Sequence, residues 1–388
     1  MPVSRYISGA ILMLAASICT AKNLPVTITN DLPQQRTAEM VELNANDVLK
    51  RIGSKYCYVT GPDKKEIPSQ ITHDGKLIFQ VSVPGDASVT YTIHSAKKPR
   101  EYSKVSTGRV FPERLDDMGW ENDLIAYRAY GPALQANGEK GYGYDVFLKH
   151  PNPTPMLDKL YALETNQEIR ARAREIGKTD KKKAQKMLND ISYHIDHGEG
   201  MDCYAVGSTL GAGVAAVVKE GKLQFPWCYK EVEILDNGPL RMAFTLKFDN
   251  NGGITERRKI TLDAGSHLNH GTVAYEGYTT PQTVAAGVPR RDDAGAFTNA
   301  QEGYLGYSDP TTGKNNGRAL MGVVMERADS INEAMDHILA YKTIKPGETL
   351  DYYFGFAWDK TDITDLAKWE EYLRNFVATK RNPLKIKY

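Results

Sequence analysis

Short runs of alternating apolar and polar residues, each cut off by a turn, fill most of this chain, and that rhythm constrains the fold more than any other feature. Leu77 to Val83 and Val89 to His94 are bracketed by Asp74-Gly75 and Pro84-Gly85-Asp86. Asp-Gly beside apolar runs is a hairpin signal, because it tolerates the positive φ that a tight turn demands. Lys230 to Leu235 and Leu240 to Phe248 flank Asp236-Asn237-Gly238, and further runs follow at Arg257 to Leu262, Val273 to Tyr278, Ala319 to Met325 and Leu350 to Trp358. Period-two patterning, with 22 Tyr against 10 Phe, describes strands. The expected fold class is mainly β. A large antiparallel β-sandwich over residues 101–388 carries a helical insertion at 155–191 and is preceded by a small all-β domain over 22–100. Thr364 to Phe376 reads as a closing amphipathic helix capped by Thr364.

The first residues follow a different pattern. Arg5 precedes the apolar core Ile7 to Ile18, and Cys19-Thr20-Ala21 supplies small residues for cleavage, so 1–21 reads as a secretory signal peptide. Export to the periplasm or cell surface is the expectation. No other run approaches membrane length and mean hydropathy is −0.47, so no membrane span is expected after cleavage. Lys and Arg number 49 against 48 Asp and Glu, a balance that argues against nucleic acid as a partner. The cysteines beyond the signal, Cys57, Cys203 and Cys228, form no disulfide framework; buried thiols are expected, with a Cys203–Cys228 bridge as the alternative. Eight basic residues lie between Arg170 and Lys186, with Glu168, Glu175, Asp180 and Asp190 interspersed. They read as a solvated helix face, with an anion-binding patch as the alternative.

The densest polar cluster is Tyr193 to Tyr204, which holds His194, Asp196, His197, Glu199 and Asp202. Histidine beside carboxylate is a general acid/base pair, because imidazole titrates near neutrality and the carboxylate fixes its tautomer. The same groups could hold Zn²⁺, and the oxygen-rich subset Asp196, Glu199 and Asp202 could hold Ca²⁺. No cofactor is certain beyond such a divalent cation. His267 and His270 follow at a strand end and are expected to converge on the same cleft. Trp120-Glu121-Asn122, Tyr127, Tyr144 and Trp227 supply aromatic faces and hydrogen-bonding groups suited to sugar, while Glu231 beside Trp227 is a spare carboxylate. Arg128 is the cation that could grip a carboxylate in bidentate fashion.

The strings Arg114-Leu115-Asp116-Asp117-Met118-Gly119-Trp120-Glu121-Asn122-Asp123, Ala126-Tyr127-Arg128-Ala129-Tyr130-Gly131-Pro132 and His197-Gly198-Glu199-Gly200-Met201-Asp202-Cys203-Tyr204-Ala205-Val206-Gly207 resemble the Bacteroidota family catalogued as domain of unknown function 4861. Lys65-Glu66-Ile67-Pro68 and Lys345-Pro346-Gly347-Glu348-Thr349-Leu350 fit it too. The resemblance implies an exported protein encoded among polysaccharide-degradation genes, with a fold like the galactose-mutarotase-type supersandwich. The expected function is therefore β-elimination on a uronate-containing glycan. Arg128 would neutralise the uronate, His194 or His197 would take the C5 proton, Tyr204 or Tyr127 would protonate the leaving oxygen, and Asp196 and Glu199 would orient the histidines. The alternatives are a glycoside hydrolase using Glu199 with Glu231 or Asp202, a sugar epimerase, and a non-catalytic glycan-binding protein.

Overall fold

The computed structural model describes residues 23–139, 141–225, 227–249 and 253–388; the expected signal peptide, 1–21, lies outside the described residues. The strands of every sheet pair antiparallel, as the alternation requires.

The N-terminal unit is a small sandwich. One sheet runs Lys385–Lys387, Asn23–Asn30, Ala87–Ala96, Tyr56–Thr60, Glu66–Ile67 in order, and the other Arg36–Asn44, Lys76–Val83, Ser69–Ile71. Val26, Ile28, Val41, Leu43, Phe79, Val81 and Ile93 fill the space between them. On the outer face of Asn23–Asn30, Thr27 and Thr29 hydrogen-bond across the pair to Thr90 and Ser88. Two features depart from the sequence expectation. The unit holds a helix, α1 (Ala45–Ile52), with Asn44 accepting from the Asp47 N–H at its start and Gly53 at φ +65° at its end. It also takes an edge strand from the far end of the chain, with Ile386 opposite Ile28.

The large unit is built on an eight-stranded sheet, ordered Glu231–Asn237, Arg241–Phe248, Thr255–Asp263, Leu268–Glu276, Thr349–Trp358, Arg318–Val324, Tyr304–Pro310, Ala296–Asn299. Two five-stranded sheets cover its inner face. One centres on Gln282–Pro289 and the other runs Gly200–Met201, Asp145–Lys149, Ala126–Ala129, Asp117–Glu121, Thr107–Phe111. Strand Thr349–Trp358 shows the logic of the core. Tyr352, Phe354, Phe356 and Trp358 point into the sandwich core, while Tyr353 and Ala357 face the opposite way, towards Trp369, Leu373 and Val377 of the last helix. Complete burial of such side chains stabilises by about 1.5–3 kcal/mol each, which makes these two interfaces the main source of cohesion.

After α2 (Pro132–Ala136), the insertion comprises α3 (Leu157–Glu164), α4 (Gln167–Gly177) and α5 (Lys181–Asn189). Asn166 and Asp180 cap the second and third, which is why the stretch breaks there. The last helix, α6 (Leu366–Arg381), is capped by Asp365, not Thr364, and runs five residues beyond Phe376. Cys57, Cys203 and Cys228 are all free thiols. No helix among the described residues is long and apolar enough to cross a membrane.

Candidate functional site

Strand Asp145–Lys149 pairs with Gly200–Met201, so the helical insertion leaves and rejoins one sheet through adjacent strands. The crossing point forms a neck. The His150 N–H donates to the Glu199 carbonyl at 3.1 Å, and His150 Nε2 meets Asp196 Oδ2 at 2.8 Å. Burial acts to raise the Asp196 carboxyl, but the His150 bond and the Gly198 and Gly200 N–H groups outweigh it and hold the pKa below the usual value. The His150 ring lies 4.7 Å from that of Trp358, whose Nε1 donates to the Asn316 carbonyl at 2.7 Å. Lys360 Nζ lies 5.4 Å from the same indole and donates to the Asn315 carbonyl.

The loop that carries Asp196 forms the rim of this neck, and His194, two residues before Asp196 in that loop, has 59% of its side chain exposed. Its Nδ1 lies 2.8 Å from the Asp202 carbonyl oxygen. A carbonyl only accepts, so Nδ1 must carry the proton, and the lone pair of the neutral ring sits on Nε2. That fixed tautomer is what a general base needs. His197 is exposed nearby in the same loop.

Beneath the rim lies a buried charge cluster. Arg128 donates to Asp145 and, at 2.9 Å, to Asp202 Oδ2; Asp117 Oδ2 is 3.6 Å from its other nitrogen. The Tyr130 hydroxyl donates to Asp145 at 2.7 Å. Burial, and for Asp202 the repulsion of Asp145, raises the carboxyls of Asp117 and Asp202 to about 6 despite the arginine. Arg128 is thus 4% exposed and committed to its own chain's carboxylates, so it is not free to grip a uronate. Tyr204 is also buried. Its hydroxyl donates to Asp309 Oδ2 at 2.9 Å, Arg291 covers its ring, and burial holds its pKa well above normal. It cannot reach a leaving group outside. The Cys203 carbonyl accepts from the Thr312 N–H at 2.7 Å, and burial pushes its thiol up to about 12, so it is no nucleophile.

The expected sugar-binding aromatics are core. Trp120 and Tyr127 are fully buried and stacked on each other, and Trp120 Nε1 donates to Asn269 at 2.8 Å. Tyr144 is 1% exposed, its hydroxyl accepting from Arg258. Glu121 is buried against Lys149 at 2.7 Å and accepts the Met156 and Leu157 N–H groups, so it caps α3. Asn122, fully buried, donates to the carbonyls of Asp263 and Ser266 and accepts from the Leu124 and Ile125 N–H groups, bracing one turn against another. Trp227 is half-buried.

Nor do the remaining candidates converge. His267 is buried between the Phe356 carbonyl and Asp362, with its ring beside Trp369 and Tyr372 of α6. His270 stacks on Tyr353 and meets Asp351 at 2.8 Å, also on the α6 side. Glu231 pairs with Lys247 on the edge strand. In register it is level with Thr349, four strands across at ~4.8 Å each and nine residues along from Trp358 at ~3.3 Å each, so about 19 Å and about 30 Å separate it from the rim. The proposed cation ligands are split as well: Asp196 faces His150, Glu199 faces Lys159 and Asp202 faces Arg128. Among the described residues no three His, Cys, Asp or Glu side chains are gathered to hold a metal ion. His150, Trp358 and Lys360 were not singled out by sequence. Each ends an element or follows one, and no local pattern marks such a position.

A protein of Formosa agariphila named "Uncharacterized protein P7" is 25% identical over 421 aligned positions, covering 98% of this chain and 97% of that one. Among solved structures, a protein in glycosyl hydrolase family 38 from Enterococcus faecalis aligns at a TM-score of 0.47 with 10% identity, over 94% of this chain and 47% of that one. An α-mannosidase from Enterococcus faecalis follows at 0.45 and 8% identity, over 94% and 46%. The chain thus spans about half the length of those two, and so faint a likeness assigns no activity. The sequence profile described as "Domain of unknown function (DUF4861)" matches residues 28–386. With that match spanning almost every described residue, the chain belongs to the DUF4861 family.

Proposed function

We propose that this chain is an exported carbohydrate-active enzyme that opens a uronate-containing glycan by β-elimination at the neck of the helical insertion. The observation that carries the reading is His194. Its tautomer is fixed by a backbone carbonyl and its basic Nε2 lies on an exposed side chain. In the proposed step Nε2 takes the C5 proton of the uronate. The electron pair forms the C4–C5 double bond, the C4–O bond breaks, and His150, acting as an imidazolium whose Nε2–H stays on Asp196, gives its Nδ1 proton to the leaving oxygen and ends neutral. Lys360, beside Trp358, takes the part that Arg128 cannot play and neutralises the uronate carboxylate. Export rests on the signal pattern over residues 1–21, and the glycan on what the family resemblance implies.

The test is to incubate the purified protein with polygalacturonate and alginate while following near-ultraviolet absorbance and reducing ends together. Unsaturated uronide should accumulate. His194→Ala should slow this by about 10²–10⁴, the usual worth of a general base, with Tm lowered only slightly because the mostly exposed side chain gives the fold a single hydrogen bond, to the Asp202 carbonyl. Reducing ends without absorbance would replace elimination by hydrolysis, and an unaffected His194→Ala would remove the base.

A further inference from the structure

The α4–α5 hairpin is electrostatically unlike the rest of the molecule. Residues 167–190 carry eight basic and four acidic side chains, a surplus of four in a chain whose total is +1. Three of the eight basic groups are paired: Arg170 with Glu164, Lys178 with Glu175 and Lys186 with Asp190. Arg172, Arg174, Lys181, Lys182 and Lys183 are exposed and make no ion pair among the described residues.

Position makes the surplus harder to explain as a solvated face. Lys181, Lys182 and Lys183 occupy the first turn of α5, which holds no acidic residue. The exposed N–H groups there give the helix end a partial positive charge, so each cation is unfavourable by roughly 0.3–1 kcal/mol at low salt. Asp180, the N-cap, offsets part of this through the Lys183 N–H. Neither the fold nor the helix gains from three lysines at that end. Ala173 and Ala184 are buried and Gly177 lies close against Ala184, so α4 and α5 pack chiefly on each other and hold the lysines away from the sheets. A shallow groove of about 530 Å³ runs along α5, lined by Asp180, Lys182, Lys183, Gln185, Lys186 and Asn189. The other end of α5 leads through Ile191 into Tyr193 and His194, so the basic arm is rooted in the neck.

We infer that the α4–α5 hairpin is a binding arm for a polyanionic glycan, one that bears a carboxylate on successive sugars, and that it feeds this chain to the rim at His194. The occupant follows from charge complementarity and from continuity with the rim. The arm rests on the proposed function for the kind of polyanion, not for its charge.

The experiment measures binding of polygalacturonate to the intact protein at several salt concentrations, with dextran as the neutral control. The variant is Lys181→Glu/Lys182→Glu/Lys183→Glu. Acidic side chains suit the first turn of a helix, so this variant should melt no lower than the parent. It should bind polygalacturonate at least tenfold more weakly at low salt and lose much of the salt dependence, because fewer counterions are exchanged. Turnover of a short uronate oligosaccharide that fills only the rim should be unchanged. Unaltered polygalacturonate binding would overturn the arm, whatever the enzyme does. Tighter binding to anionic vesicles or to DNA, with no competition from polygalacturonate, would overturn the glycan as its partner. Lost binding alongside a catalytically silent parent would uphold the arm and retire the elimination reading.

Discussion

Arg128 shows how a residue that reads in sequence as a substrate-gripping cation can be buried and taken up by its own chain. Its rarity as a cation on a central strand is visible in the sequence. The partners that consume it are not, because Asp145 lies 17 residues away and Asp202 lies 74 away. Removing the guanidinium takes from Asp117, Asp145 and Asp202 the one buried cation they share. Arg128→Leu is therefore expected to cost about 3–5 kcal/mol in urea unfolding at pH 7, the usual penalty for stranding a buried partner. A loss under about 1 kcal/mol would mean that the cluster is hydrated and more open than described. Trp120-Glu121-Asn122 misled for a related reason. Unusual residue types in a row resemble a site, but strand Asp117–Glu121 is buried at every position. The sandwich core covers one face, and α3, with Leu157, Leu160 and Tyr161 against Phe111 and Phe147, covers the other. With both faces dry the inward–outward alternation vanishes, and sequence cannot separate a core tryptophan from a sugar platform. The exposure of His194 was legible because it lies in a glycine-bounded loop where two histidines have no apolar reason to be.

At the scale of elements, strands bounded by Asp-Gly and Asp-Asn-Gly turns were readable, since turn chemistry and alternation agree there. Helix α1 was hidden by its length. Eight residues between two strands leave little room for a 3.6-residue period to show, although Asn44 and Gly53 are the expected caps. Strand Lys385–Lys387 had no local signal, because its role depends on Asn23–Asn30 across the whole sequence. Its fit is specific. Arg36 donates to the carbonyls of Thr379 and Asn382, Arg51 donates to that of Tyr388, and Leu384, Ile386 and Tyr388 rest on the N-terminal core. Deleting residues 383–388 should destabilise the N-terminal unit by about 2 kcal/mol, from lost apolar cover and exposed strand edge. Amide hydrogen exchange is the direct check. The N–H groups of Asn23–Asn30 should exchange faster while those of Leu268–Glu276 keep their protection. Equal acceleration in both strands would show that the two units unfold as one.

For the molecule as a whole, buried carboxyls set the response to pH. Burial raises Asp117, Asp202 and Asp309 to about 6 from 3.8. The folded chain holds these protons more tightly than the unfolded chain. Their contribution to stability is thus complete below 3.8 and is lost as pH rises through about 6. His94 and His337, kept from protonation chiefly by burial, act in the opposite sense below 6.5. A variant isolates one carboxyl from this sum. Asp117→Asn carries the neutral form permanently, so it should be at least as stable as the parent at pH 7, and the parent should gain Tm relative to it on acidification to pH 5. The reverse trend would mean that the Asp117 carboxylate is stabilised in the fold by Arg128 more than burial opposes it. The overall sandwich was legible because it is a property of the average pattern. The neck was not, since it joins His150, Asp196 and Trp358 from separate stretches.

The pairing of Lys385–Lys387 with Asn23–Asn30 has a consequence in time. The strand that needs this partner is made long before it, with about 290 residues between Ala96 and Lys385. At ~5–20 residues per second, that interval lasts roughly 15–60 s. During synthesis the N-terminal sheet stands one strand short, with the edge of Asn23–Asn30 open to any extended peptide that passes. Once made, Lys385–Lys387 closes that edge and works as a latch on Asn23–Asn30.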